Sequence, residues 1–237
     1  MTPGARLEEA PAGAAARVAA RWRRVLRRPE WPERLAGDLR RYVLCRPVDP
    51  AGWRVRWALY QLTAAALERG EVALPEQGPE RDAARLSVRW AVLHHSGTLP
   101  DVSAARLSAM GLLRLYAPAA LRGGFAALFS GHRREGRLVF YAYHWIVRPD
   151  GTAERLLQDH EVGWHAGDWE VNRASVGICL AGDYGCHSPT PAALEGVRRV
   201  LRRYPGAHLL PHSAVNHGTE CPGPWARAGG LARLADR

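Results

Sequence analysis

Histidine recurs at three widely separated places in this chain, the last of them with a cysteine: Val92-Leu93-His94-His95-Ser96, Ala142-Tyr143-His144-Trp145, and His212 with Cys221-Pro222-Gly223. Two imidazoles and one thiolate bind Zn²⁺ well and leave its fourth position open for water, which such a metal acidifies towards a pKa of roughly 7. The residue types therefore point to metal-assisted hydrolysis. Spacing alone leaves the ligand set open. His94 and His95 are adjacent at a strand end, where successive side chains point to opposite faces, so only one of them can face a given site. His217 stands closer to Cys221 than His212 does and competes with it. An isolated histidine is more often a satisfied core or surface residue than a ligand, so His132, His160, His187 and His208 receive no role.

The surrounding patterns say which elements must carry these residues. Val88, Trp90, Ala91, Val92 and Leu93 form a nearly continuous apolar run of strand length ending at His94. Residues 138–147 read as an aromatic-rich strand that turns at Pro149-Asp150-Gly151 into 152–157, a hairpin signature. Residues 175–181 give a third core strand and 208–210 a short fourth. Helices fit between them at 102–115, 118–129 and 191–203, the last opened by Thr190 as cap. Alternating strands and helices predict an α/β fold, a central mixed sheet flanked by helices.

The first part of the chain reads differently. Val18, Trp22, Val25 and Leu26, then Leu35, Leu39, Tyr42 and Val43, follow helical spacing. A third helix starts with Asp49 as cap and Pro50 at its first position, carries Trp53, Trp57, Tyr60, Ala64 and Leu67, and stops at Gly70. The expected organisation is a basic helical unit over 1–73, a linker over 74–85 with Pro75, Gly78 and Pro79, and an α/β domain over 86–237.

All 33 basic residues are Arg, and the net charge of +10 favours adsorption to anionic polymers or membrane surfaces. Arg17, Arg21, Arg24 and Arg28 recur on one helical face beside Trp22, which reads as a cationic amphipathic helix able to hold an anionic wall polymer or membrane surface, or as an ordinary solvated face. No helix-turn-helix spacing or zinc-finger pattern points to nucleic acid. The N-terminus lacks a continuous apolar stretch after its basic start, so no secretion signal is read and a cytoplasmic product is expected. Cys45, Cys179, Cys186 and Cys221 lack the dense spacing of a disulfide scaffold, which predicts reduced thiols, with Cys45 packed as a small hydrophobe.

Four motifs, VLHHSG, YHWIVRPDG, VGWHAGDW followed by NRASVGICLAGD, and PHSAVNHGTECPG, stand in the order found in zinc-dependent N-acetylmuramoyl-L-alanine amidases, the family that includes phage lysozyme-type amidases and peptidoglycan-recognition proteins. The chain resembles that family across residues 90–225. The resemblance implies Zn²⁺ held by His94, His212 and Cys221, with Tyr143 at the reacting centre and His165 lining the same cleft. Thr219 takes the place, two before the ligand Cys, that is often Lys or Thr in relatives. One more residue separates His212 from Cys221 than the family spacing, and an insertion at 216–218 accommodates it. The implied reaction is hydrolysis of the amide between N-acetylmuramic acid and L-alanine in peptidoglycan, as a phage-type lytic enzyme. A cytosolic enzyme trimming recycled muropeptides and a non-catalytic peptidoglycan binder are the alternatives. Relatives that close the site with Asp include recycling enzymes, so Cys221 favours the phage and recognition-protein branch and an active enzyme.

Overall fold

The computed structural model describes residues 12–74, 81–122 and 131–235. Part of the expected linker, the end of the expected helix 118–129 and the extreme N-terminus lie outside those residues. The chain forms two compact units, Met1–Pro79 with Ser108–Val139, and Glu80–Leu107 with Phe140–Arg237. The units are thus not the consecutive blocks expected from sequence, because residues 108–139 belong with the N-terminal helices. The physical reason is burial that local periodicity cannot assign to a partner. Leu112, Leu113 and Tyr116 are fully buried, Tyr116 stacks on Trp31 with ring centroids 6.3 Å apart, and the Arg114 guanidinium donates to the Tyr60 hydroxyl at 3.0 Å.

In this first unit Ala12–Val25 and Pro50–Glu68 are the long helices, with Trp31–Arg34, Ala36–Asp38 and the π-type turn Leu39–Leu44 between them. Asp49 caps the second long helix by accepting the Gly52 N–H, Pro50 occupies its first turn, and Gly70 ends the segment at φ +67°. Trp22 is fully buried and its indole N–H donates to Asp38 at 2.9 Å. It is a core residue, so the exposed Arg17 and Arg24 of this helix carry charge without the tryptophan, and Arg28, also exposed, lies past the helix end at Val25 rather than on the same helical face. Arg21 is ion-paired with Asp38. Cys45 is exposed rather than packed, since it follows the last turn of Leu39–Leu44 where the chain becomes extended.

The strands among the described residues are β1 (Trp90–His95), β2 (His132–Arg134), β3 (Arg137–Val139), β4 (Trp145–Val147), β5 (Ala153–Arg155), β6 (Ser175–Leu180) and β7 (His208–Pro211). β2 and β3 pair as a hairpin in the first unit. The second unit is an α/β fold on a mixed five-stranded sheet ordered β5-β4-β6-β1-β7, in which only β5 runs antiparallel to its neighbour. Its central strand β6 is buried along its whole length, as a parallel strand covered on both faces must be. Strand alternation sends Ala91 and Leu93 into a core with Val176, Ile178 and Leu180, closed by Val197, Val200 and Leu201 of the helix Pro191–Leu201. Thr190 caps that helix, accepting the Ala193 N–H at 3.0 Å. Val92 and His94 consequently face the other side of the sheet.

The expected strand over 138–147 is two strands. β3 pairs with β2 and β4 pairs with β6, so the chain leaves one sheet before it joins the other, and residues 140–144 between them are not in a strand. The hairpin after β4 has the expected turn, with Gly151 at φ +87° and the Arg148 N–H donating to the Thr152 carbonyl at 2.8 Å.

Candidate metal centre

Strand register does most of the assembly. β1 and β7 are parallel neighbours with Leu93 opposite Pro211, so the next residue on each chain, His94 and His212, emerges at the same level at the C-terminal ends of the strands. The rings of His94 and His212 lie 4.4 Å apart between centroids. Cys221 returns to this point on a loop whose backbone is tied down twice: the Ser213 N–H donates to the Cys221 carbonyl at 2.9 Å, and the Cys221 N–H donates to the Thr219 hydroxyl at 3.1 Å. The donor atoms of His94, His212 and Cys221 all lie within 4.8 Å of one another, with Cys221 Sγ 3.9 Å from His94 Nδ1. These three residues can hold a metal ion. Two imidazole nitrogens and one thiolate suit a tetrahedral, borderline-soft divalent ion with a fourth position free.

The longer His212 to Cys221 segment is absorbed locally. One helical turn, His212–Val215, precedes Asn216, whose side-chain oxygen accepts the Gly218 N–H at 3.0 Å. His217 is exposed on this turn and lies outside the ligand group. Thr219 serves the loop, its hydroxyl oxygen holding the Cys221 N–H.

Of the other sequence candidates, Tyr143 is half-buried with its ring 5.0 Å from that of His94. His95 faces away: its Nδ1 accepts the Tyr184 N–H at 2.9 Å and lies 3.6 Å from Asp183, while its backbone N–H donates to Cys221 Sγ at 3.3 Å. His144 is fully buried, its Nδ1 accepting the Gly177 N–H at 3.1 Å, so its Nε2–H donates to the Glu161 carbonyl at 3.0 Å. That ring is neutral and committed to the scaffold. His165 is buried behind His94, with its Nδ1 3.0 Å from His94 Nε2 and its Nε2 3.2 Å from the Ser175 hydroxyl.

Sequence reasoning missed the residues that hold His165. Asn172, buried at the end of the short helix Trp169–Arg173, accepts the backbone N–H groups of both His165 and Ala166. Gly177 leaves room for the imidazole: a Cβ there would lie 2.7 Å from the ring. A glycine inside a buried strand is itself a signal of close approach, and here it was available in the sequence. Arg85, the nearby cation, donates to the carbonyls of Asp159, Asn172 and Ser175 and so fastens the loop to the sheet.

Burial sets the charge states. It holds His94 and His165 well below the ordinary imidazole range, helped by the neighbouring imidazoles, and lowers His212 as well. Burial pushes the Cys221 thiol up to about 12, with only the His95 N–H acting in the other direction. The ligand set by itself is therefore neutral, and a divalent cation supplies what makes the thiolate favourable there. A pH dependence follows. Histidines with folded pKa values below their unfolded value of 6.5 bind fewer protons folded than unfolded, so their contribution is fully present above 6.5 and is lost as the pH falls. Metal-free protein is expected to lose stability on acidification below that point, by about 1.4 kcal/mol per pH unit for each such histidine. Melting midpoints that stay flat from pH 7 to pH 5 would contradict this charge assignment.

Among known proteins, the endolysin of Escherichia phage T7 is 36% identical over 101 residues, covering 39% of this chain and 65% of its own length. The endolysin of Enterobacteria phage K11 is 34% identical over 121 residues, covering 46% of this chain and 78% of its own. The chain thus spans only 65% of the length of the T7 protein, and of the Klebsiella phage KP32 endolysin, which is 33% identical. Similar solved structures include the amidase LysC from Clostridium intestinale URNW (TM-score 0.45, 21% identity, 68% of this chain and 95% of that one). Another is the Ph2119 endolysin from Thermus scotoductus MAT2119 bacteriophage Ph2119 (TM-score 0.42, 22% identity, 61% and 84%). The family model described as N-acetylmuramoyl-L-alanine amidase matches residues 84–224. That match takes in β1 with His94, the segment through Tyr143 and His165, and the loop carrying His212 and Cys221, and with more than half of its length so matched the chain belongs to the N-acetylmuramoyl-L-alanine amidase family.

Proposed function

We propose that the chain is a peptidoglycan amidase that hydrolyses the bond between N-acetylmuramic acid and L-alanine, acting as a phage-type lytic enzyme with zinc held by His94, His212 and Cys221. The observation that carries the reading is the convergence of those three donors within 4.8 Å inside the segment that matches the amidase family. Zinc bound there would acidify water and polarise the amide carbonyl. The rest is the work of the chain. Two neutral imidazoles and one thiolate leave a divalent ion with roughly one net positive charge, suited to negative charge developing on the attacked oxygen. Thr219, a neutral hydroxyl, adds no charge of its own and instead shapes the Cys221 loop. Tyr143, half-buried with its ring beside that of His94, would orient water or donate its phenolic proton to that oxygen.

Tyr143→Phe is expected to lower kcat about a hundredfold, the usual cost of losing one such donor, while zinc content stays at the wild-type value. Retention of more than half the activity would remove Tyr143 from the reaction. The exposed Arg17, Arg24 and Arg28 would hold the enzyme on anionic wall polymer or membrane surface by charge alone, Trp22 being buried. Co-sedimentation with purified wall should then weaken steeply between 0.05 M and 0.5 M salt, and binding indifferent to salt would remove this attachment role.

The activity is tested on purified sacculi by labelling newly exposed amino groups and identifying the labelled residue. Labelled alanine is the expected product. Cleavage of soluble muropeptides with intact wall untouched would place the enzyme in recycling instead. No helix among the described residues is long and apolar enough to cross a membrane.

A further inference from the structure

We infer that His165 is a positioning residue that, with Ser175 as acceptor behind it, takes the Nε2 proton of His94 and so keeps the Nδ1 lone pair of His94 available for the metal. The inference rests on the reading that His94, His212 and Cys221 bind zinc. It begins with the two nitrogens of His94, of which Nδ1 faces Cys221 Sγ at 3.9 Å and Nε2 faces His165 Nδ1 at 3.0 Å. A neutral imidazole has one proton, and a ligand nitrogen cannot carry it. With Nδ1 as ligand, the proton sits on Nε2, and in a residue only 1% exposed it needs an acceptor.

His165 Nδ1 can accept only if the proton of His165 is on its own Nε2. There the Ser175 hydroxyl, on the fully buried first residue of β6, takes it at 3.2 Å. Reversing the His165 tautomer would turn Nδ1 into a donor toward His94 Nε2, driving the His94 proton onto the metal-facing nitrogen. The serine hydroxyl two residues along the chain from Gly177 thus provides the acceptor that completes the chain behind the ligand form of a histidine on the neighbouring strand. The nearby His144 imidazole is no substitute, since both of its nitrogens are bonded to backbone. The His165 ring has little freedom to leave, with its backbone N–H on Asn172 and its face on Gly177.

The choice of partner has a chemical consequence. Metal-bound histidines are commonly oriented by a carboxylate, carbonyl or water. An imidazole backed by a hydroxyl orients the ligand without adding negative charge, so the centre keeps more of the cation's polarising power than a carboxylate would leave it.

The test is zinc affinity of the full chain, measured by competition with a chromophoric chelator at pH 7.5, together with ¹⁵N NMR assignment of the imidazole tautomers in the zinc-loaded wild type. His165→Ala and Ser175→Ala are expected to bind zinc about 10 to 100 times more weakly. His165→Asn, which sets an amide oxygen close to the former Nδ1, should recover most of the loss. The NMR spectra should show protons on Nε2 of both His94 and His165. Ser175→Ala removes a single oxygen and decides the matter even if His165→Ala fails to fold. Wild-type affinity in Ser175→Ala, or a proton on His165 Nδ1, overturns the inference alone. Wild-type protein that takes up no zinc removes the metal centre and this inference with it.

Discussion

Replacing Cys221 by serine is expected to strip zinc from the protein and to cut amide hydrolysis by roughly a thousandfold or more, since several kcal/mol of charge stabilisation go with the metal at about 1.4 kcal/mol per tenfold. Serine has nearly the shape of cysteine, but its hydroxyl does not ionise at working pH, so the site loses the one anionic ligand that balances a divalent ion. The fold should survive. The Cys221 carbonyl still accepts from Ser213, and its N–H still reaches Thr219. The His95 N–H, which donates to Sγ at 3.3 Å, finds an oxygen in its place. Metal analysis after dialysis and initial rates on sacculi give the two readouts. A serine variant that kept one zinc per chain and a tenth of the turnover would mean that the thiolate is not a ligand.

Gly223→Ala should be the most damaging single-methyl change near the site, costing about 3 kcal/mol or more of stability. Gly223 adopts φ +116°, and a Cβ there would lie 2.0 Å from the Tyr184 carbonyl oxygen. Backbone faces backbone, and neither side is loose. The Tyr184 N–H is bonded to His95, its hydroxyl donates to the Ala181 carbonyl, and the Gly223 N–H donates to the Glu220 carbonyl at 2.7 Å. Relief requires moving the loop that carries Cys221, so zinc affinity should fall together with the unfolding midpoint. An unfolding free energy from denaturant titration within about 0.5 kcal/mol of wild type would show that the two loops slide apart at little cost.

The donor residues were legible in the sequence as types, and the resemblance picked His94 over His95 and His212 over His217. The physical basis of those choices lies in pairing, which local patterns do not contain. Strand alternation puts His94 on the face opposite Leu93 and sends His95 towards Tyr184, while the β1 and β7 register brings His212 level with His94. The apolar run before His94, the hairpin at Gly151 and the caps at Asp49 and Thr190 were readable because their signals are short-range. The grouping of 108–139 was not, since an apolar helical stripe does not say what it packs against. Trp22 shows the same limit, reading as part of a basic surface helix while filling the core. Ser175 was invisible for a related reason, since one hydroxyl in a strand gains meaning only when His165 folds over it, whereas Gly177 in the same strand signalled a close approach without saying of what.

A zinc titration of metal-free protein on intact sacculi measures directly whether this centre uses zinc to hydrolyse the muramoyl-alanine amide. Release of free alanine amino groups should be absent without metal, rise in proportion to added zinc, and level off at one zinc per chain. Zinc-loaded protein that sediments with the sacculi yet exposes no alanine amino groups would rule out this hydrolysis and leave the chain a peptidoglycan binder.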